Sequence, residues 1–221
     1  MFIGIGTILR ETVVRAIAHQ VVDMGKHLLA LLTLIAIQVM SGCGGPLPEP
    51  PEALERHIAG IVDRLIPQHF PELEPITIHY AAATQNTDSV FLETDVGTKT
   101  IFRASADRQY VMYLNRRLLE HPPGNAALEA ILVHELCHIR DFTEMSGWGL
   151  IRLYLNVNYD AEFEIRYERE TDLCALRLGY GEGLKAYRQW LYRIIADPET
   201  VAMKRNVYFT PGQIDEWLLA R

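Results

Sequence analysis

A chain of 221 residues that is 49% hydrophobic and 22% charged has a globular composition, with room for one core. Its 28 acidic against 21 basic side chains leave a net charge of −7, and no run of Lys or Arg is dense enough to follow a phosphate backbone. These features argue against nucleic acid as a partner.

The N-terminal stretch reads as a targeting segment. Leu28 to Met40 is nearly all apolar and leads into Ser41-Gly42-Cys43. As a helix it spans about 20 Å, short of the roughly 30 Å hydrocarbon core but of the right length for the apolar centre of a signal peptide. Lys26 supplies the positive charge ahead of it, and Met40-Ser41-Gly42-Cys43 resembles the lipobox of bacterial lipoproteins. Residues 1–42 are therefore expected to be removed, and Cys43 to carry a lipid. Met24 begins a complete signal on its own, so it is the expected translation start. Gly44 after the cysteine points to the outer membrane of a bacterial cell envelope, with the domain facing the periplasm; an uncleaved anchor is the alternative. Gly44 to Pro51 is too rich in Pro and Gly to propagate helix or sheet, and reads as a tether to a domain over residues 52–221.

The domain opens on apolar residues at helical spacing, Leu54, Ile58, Ile61, Val62, Leu65 and Ile66, with Pro67 expected to stop the helix. Four short β-like pieces follow, Ile76–Ala82, Ser89–Glu93, Thr98–Arg103 and Gln109–Asn115, separated by Asn, Asp and Gly. They predict a small sheet or meander. Helices are then expected over Ala126–Phe142 with Asn125 as cap, within Gly149–Asn156, over Asp160–Leu178 and over Glu182–Ala196. A last short helix begins at Thr210-Pro211, with Thr210 as cap. The class is α+β, mostly helical beside a small sheet. Cys137 and Cys174 fall in expected helices and read as small buried hydrophobes. A bridge between them in an oxidising compartment is the less favoured alternative.

Chemistry concentrates in His134-Glu135-Leu136-Cys137-His138. Two histidines four apart share a helix face and suit two corners of a zinc tetrahedron, while Glu135 beside the first can act as general base towards a water on the metal. A third ligand is needed, and the later helix offers Glu168 and Asp172, four apart on one face. The pattern resembles that of gluzincins, in which the first carboxylate binds zinc and the Asp accepts from a ligating histidine. The resemblance implies Glu168 as the zinc ligand and Asp172 as the acceptor that orients His134. One Zn²⁺ per chain is the expected cofactor.

These motifs resemble the HtpX/BepA-type gluzincin zinc peptidases over about residues 109–180. The likeness includes the strand leading into Asn115-Arg116-Arg117-Leu118-Leu119, then Leu128 to Val133 ahead of the histidine motif. It also includes Glu168-Arg169-Glu170-Thr171-Asp172, where that family has a Glu-x-x-Ala-Asp pattern. The resemblance implies a zincin-like domain and hydrolysis of polypeptides, of envelope or misfolded proteins, with an edge strand holding the substrate backbone. The chain departs from the pattern at Thr171, in the short interval from His138 to Glu168, and at Phe209-Thr210-Pro211, where many relatives have His-Pro. The group that stabilises the oxyanion is thus left open among Tyr154, Tyr159, Tyr167, Arg205 and Tyr208. Two other functions compete: a zincin-fold assembly module with weak catalysis, and hydrolysis of a non-protein amide such as a murein cross-link.

Overall fold

Three short strands and a set of helices account for the ordered elements of the computed structural model, which describes residues 48–83 and 90–220. The signal segment, Cys43 and the first part of the tether lie outside the described residues, as does Ser89 at the head of one expected strand. The strands are β1 (Ile78–Ala82), β2 (Leu92–Val96) and β3 (Tyr110–Leu114). They form one sheet in the order β1-β3-β2, with β1 parallel and β2 antiparallel to β3. It is a small sheet but not a meander, because β1 and β2 do not neighbour one another. Burial alternates along β2: Leu92 and Val96 are buried, Glu93 and Asp95 exposed, and Thr94 lies half-buried between them on the inward face. The expected strand over Thr98–Arg103 is instead a pair of turns. Thr100 and Arg103 donate their N–H groups to the carbonyls of Gly97 and Thr100 at 2.9 and 2.8 Å. The Thr100 hydroxyl also bonds Gly97 O, a local side-chain bond that competes with a ladder.

Helices α1 (Glu52–His69), α2 (Arg117–Glu120), α3 (Asn125–Glu144), α4 (Gly147–Tyr159), α5 (Ala161–Arg177), α6 (Gly181–Ile194), α7 (Pro198–Val207) and α8 (Pro211–Leu219) make up the rest, so the α+β class holds. Pro67 does not end α1, which runs two residues further, to His69; so near the end its ring costs the helix a single backbone bond. Asn125 is the first helical residue of α3, and Gly124 is the cap. Thr210 caps α8 in a full capping box with Gln213, as its sequence suggests. Helix α7 is an element the hydrophobic pattern does not announce, since only Val207 along it is buried. None of the helices among the described residues is long and apolar enough to cross a membrane.

The core gathers around α3, which is buried almost all round, from Ala127 to Phe142. It packs on β2 and on α5 and α6. The approach to α6 is set by Gly183, where an added Cβ would lie 2.3 Å from the Ala126 carbonyl oxygen and 2.8 Å from Ala130 Cβ. The C-terminal end of α3 is held by the buried Arg108, whose guanidinium donates to Phe142 O at 3.0 Å and Met145 O at 2.8 Å.

A disulfide, Cys137–Cys174, joins α3 to α5 with Cα atoms 6.4 Å apart, and overturns the expectation of two separate buried thiols. Its cause is non-local: packing of the two helices brings together positions 37 residues apart. The chain-entropy account gives a loop of that length about 4 kcal/mol of stabilisation. The Cys137→Ala/Cys174→Ala pair should therefore unfold roughly 8–16 °C lower, by circular dichroism, than the oxidised protein. An unchanged Tm would show that the bridge contributes no stability.

Candidate metal centre

Helix α3 presents His134 and His138 one turn apart, both buried, with ring centroids 4.8 Å apart and nearly perpendicular planes. Helix α5 crosses behind them and brings in Glu168, whose Oε2 lies 3.3 Å from Nε2 of each histidine. The donor atoms of these three residues all lie within 4.8 Å of one another. Ligands bonded at 2.0–2.1 Å to a tetrahedral ion stand about 3.3 Å apart, so both His–Glu edges have that length. Glu168 Oε2 is moreover buried without a hydrogen-bond partner of acceptable geometry. A buried carboxylate oxygen set at equal distances from two imidazole nitrogens is placed as a shared cation would require. The sequence-derived ligands therefore come together as a group that could hold a metal ion.

The charges agree with that reading. Burial alone would push the His134 imidazole down, but contact with the Asp172 and Glu168 carboxylates outweighs it and lifts the ring to about 9. Burial would push Glu168 up, yet the His138 and His134 rings hold it well below the usual carboxylate range. In each case positive charge at the centre is favoured, and a proton on imidazole stands in for a metal cation.

Behind each histidine lies a second group that fixes its ring. Nδ1 of His134 is 3.0 Å from Oδ1 of Asp172, a residue with no solvent exposure. The same oxygen accepts from Arg188 Nη2 at 2.8 Å, and Oδ2 accepts from the Phe209 N–H at 2.9 Å. Arg188, on α6, is itself buried and lies 4.2 Å from the centre of the Tyr208 ring. Burial would raise the Asp172 pKa; Arg188 and His134 overcome it and hold the carboxyl low. On the other side, Nδ1 of His138 is 3.2 Å from the Tyr167 hydroxyl and 3.4 Å from Thr171 Oγ1, which bonds the Tyr167 carbonyl at 3.0 Å. With Nε2 on a metal, Nδ1–H is the donor and the phenol oxygen accepts. Thr171, at the position where the sequence departs from Ala, is thus part of the site.

Glu135 is buried beside His134, and its Oε2 accepts from the Thr94 hydroxyl of β2 at 2.9 Å. Of the five candidates for the oxyanion donor, Tyr154 and Tyr159 are exposed on α4, Arg205 stacks over the Tyr192 ring at 5.0 Å, and the Tyr167 hydroxyl is engaged by His138. Tyr208 is the one that remains, with its ring 6.0 Å from that of His134. Arg188, Thr94 and the Phe209 amide escape the sequence reading. Only Arg188 leaves a trace there, as a cation on the apolar face that α6 buries with Leu184, Tyr187 and Leu191. Comparison with protein-family models, with curated proteins and with solved structures found no match for this chain.

The roles of the α5 carboxylates can be ranked. Glu168→Ala should lose most of the metal, since two histidines make too few donors. Asp172→Ala should lower affinity roughly 10–100-fold. Glu170→Ala, exposed and turned about 200° away, should bind as wild type does. Zinc titration against a chelator gives the order, and a full zinc complement in Glu168→Ala would remove Glu168 as a ligand.

Metal affinity should also depend on pH with a defined sign. Below about 9 the His134 ring carries a proton that an incoming cation must displace. Affinity should therefore rise with pH, by up to about tenfold per unit, and level off above about 9. Calorimetry in buffers of different ionisation enthalpy measures the released proton, and no release at pH 7 would contradict the assignment.

Proposed function

We propose that this chain is a zinc-dependent peptidase of the gluzincin kind, with a zincin-like domain. The observation that carries the reading is the convergence of the three donor atoms with a carboxylate, Glu135, held beside them by Thr94. A zinc ion in such a site supplies a Lewis acid that polarises a scissile carbonyl and lowers the pKa of water towards 7. Every other role falls to side chains of this chain. Glu135 takes the proton of the attacking water and delivers it to the leaving nitrogen, and the Thr94 hydroxyl orients its carboxylate. Asp172 and Arg188 keep Nδ1 of His134 protonated, so that Nε2 is the free donor. Tyr208 is the donor assigned to the developing oxyanion: burial pushes its phenol far up, so it keeps its proton and can donate a hydrogen bond.

Polypeptide is the substrate class in this reading. Strand β2 lies at the sheet edge and carries Thr94, so an extended peptide added to its open side would run along the donor cluster. The lipobox-like segment puts the domain at the bacterial envelope through a lipid on Cys43, where envelope or misfolded proteins are the expected targets.

Two variants test the mechanism. Glu135→Gln should retain zinc and fold yet lose roughly 10²–10⁴-fold in cleavage of an unfolded protein such as casein. Thr94→Val should lose less, and in kcat more than in KM, because it affects only the orientation of the base. Cleavage by Glu135→Gln at the wild-type rate would end the proposal.

A further inference from the structure

Helix α4 buries one face in the domain and presents exposed aromatic rings on the opposite one. Leu150 and Leu153 are buried, and Val157 packs beside them against the core. On the other side Trp148, Arg152, Leu155 and Tyr159 recur at the spacing of one helical stripe, with Ile151 at its flank. Trp148 and Tyr159 are each 72% exposed and Tyr154 55%. Phe102, 62% exposed, extends the stripe by stacking edge-on against Trp148 at 5.2 Å. This pair is built in: Gly147 leaves the space, since a Cβ there would meet Phe102 Cδ1 at 2.6 Å and the Ile101 carbonyl at 2.8 Å. Large exposed rings clustered in this way mark a surface that calls for an occupant.

Its chemistry selects one. The exposed rings are tryptophan, tyrosine and phenylalanine, of which the first two are amphipathic and favour the headgroup level of a membrane interface. The helix contains no Asp or Glu, although the chain as a whole carries −7. Arg152 on the stripe and Lys99 and Arg103 beside Phe102 are exposed cations without a salt bridge among the described residues. The acids that bracket α4 sit off the stripe, Glu144 before it and Asp160 after it, with Asp160 capping α5 through the Phe163 N–H. A two-fold contact with a second copy would set these cations against themselves. Anionic lipid headgroups would neutralise them while the aromatic rings enter the acyl boundary.

We infer that the outer face of α4, together with Phe102, docks on an anionic bilayer surface. The contact is separate from any N-terminal anchor: a Pro/Gly-rich tether holds a domain near a membrane without orienting it, and this face supplies the orientation. The inference does not depend on the peptidase reading.

The test must read the face itself, because the N-terminal segment could bring the whole protein to lipid. Full-length protein is mixed with vesicles of phosphatidylethanolamine and phosphatidylglycerol bearing brominated acyl chains. The Trp148 signal is taken as the difference between wild type and Trp148→Phe, which cancels the other two tryptophans. Docking predicts a blue shift of Trp148 and roughly twofold quenching by bromines near the headgroup boundary, with protection from aqueous iodide. Arg152→Glu, at an exposed position, should weaken the quenching without changing zinc content. Trp148 emission that stays red and open to iodide while the protein floats with the vesicles would overturn the inference. So would a blue shift without vesicles, whether in a concentration-dependent dimer, which would assign the face to a second copy, or in a monomer, which would assign it to the chain's own apolar run at Leu28–Met40.

Discussion

Asp172 places a carboxylate where no water reaches it, and moving such a charge out of water costs several kcal/mol unless it is met by partners. It is met by three, each from a different part of the chain: His134 of α3, Arg188 of α6 and the Phe209 amide between α7 and α8. Loss of Arg188 would leave charge uncompensated in the interior, a change of about 3–5 kcal/mol where such pairs have been broken. The carboxylate therefore works as a junction, and α5 cannot shift against the motif helix or the C-terminal elements without breaking a contact. The orientation of His134 comes from the same junction, so stability and ligand geometry share one set of bonds.

Further restraints surround the motif helix. Gly183 lets α6 approach to backbone contact at the first turn of α3, Arg108 ties down its last carbonyls, and the Cys137–Cys174 bridge fastens its middle to α5. Sites carried on rigid elements hold their donors more closely than sites on loops. Here two donors of the group that could hold a metal ion lie on a helix fixed at both ends, and the third on the helix bridged to it. Thr94 adds the sheet to this frame, because the inward face of a half-buried edge strand delivers one hydroxyl to the base.

The parts of this arrangement that could be read from the sequence are those that depend on spacing within a single helix. His134 and His138 four apart, and Glu168 and Asp172 four apart, share a face whatever the rest of the chain does. The parts that could not be read are long-range. Nothing in Tyr187-Arg188 says that a guanidinium will meet a carboxylate sixteen positions earlier, and nothing in Leu92–Val96 says which inward residue will face Glu135. Thr98–Arg103 alternates like a strand, but Gly97 and the Thr100 hydroxyl turn it locally. Helix α7 failed to register for the opposite reason: its Asp197-Pro198 start is a good signal, yet its residues are mostly exposed and leave no apolar period.

The bridge between Cys137 and Cys174 bears on how the centre matures. Before oxidation the chain carries two thiols close to the donor set, one of them between the two histidines in sequence. A thiolate is a strong ligand for soft and borderline cations, whereas the sulfurs of a disulfide are not. Closing the bridge withdraws both sulfurs together. What remains beside the bridge is two imidazoles and one carboxylate, the group that could hold a metal ion, with no free thiol to compete for it.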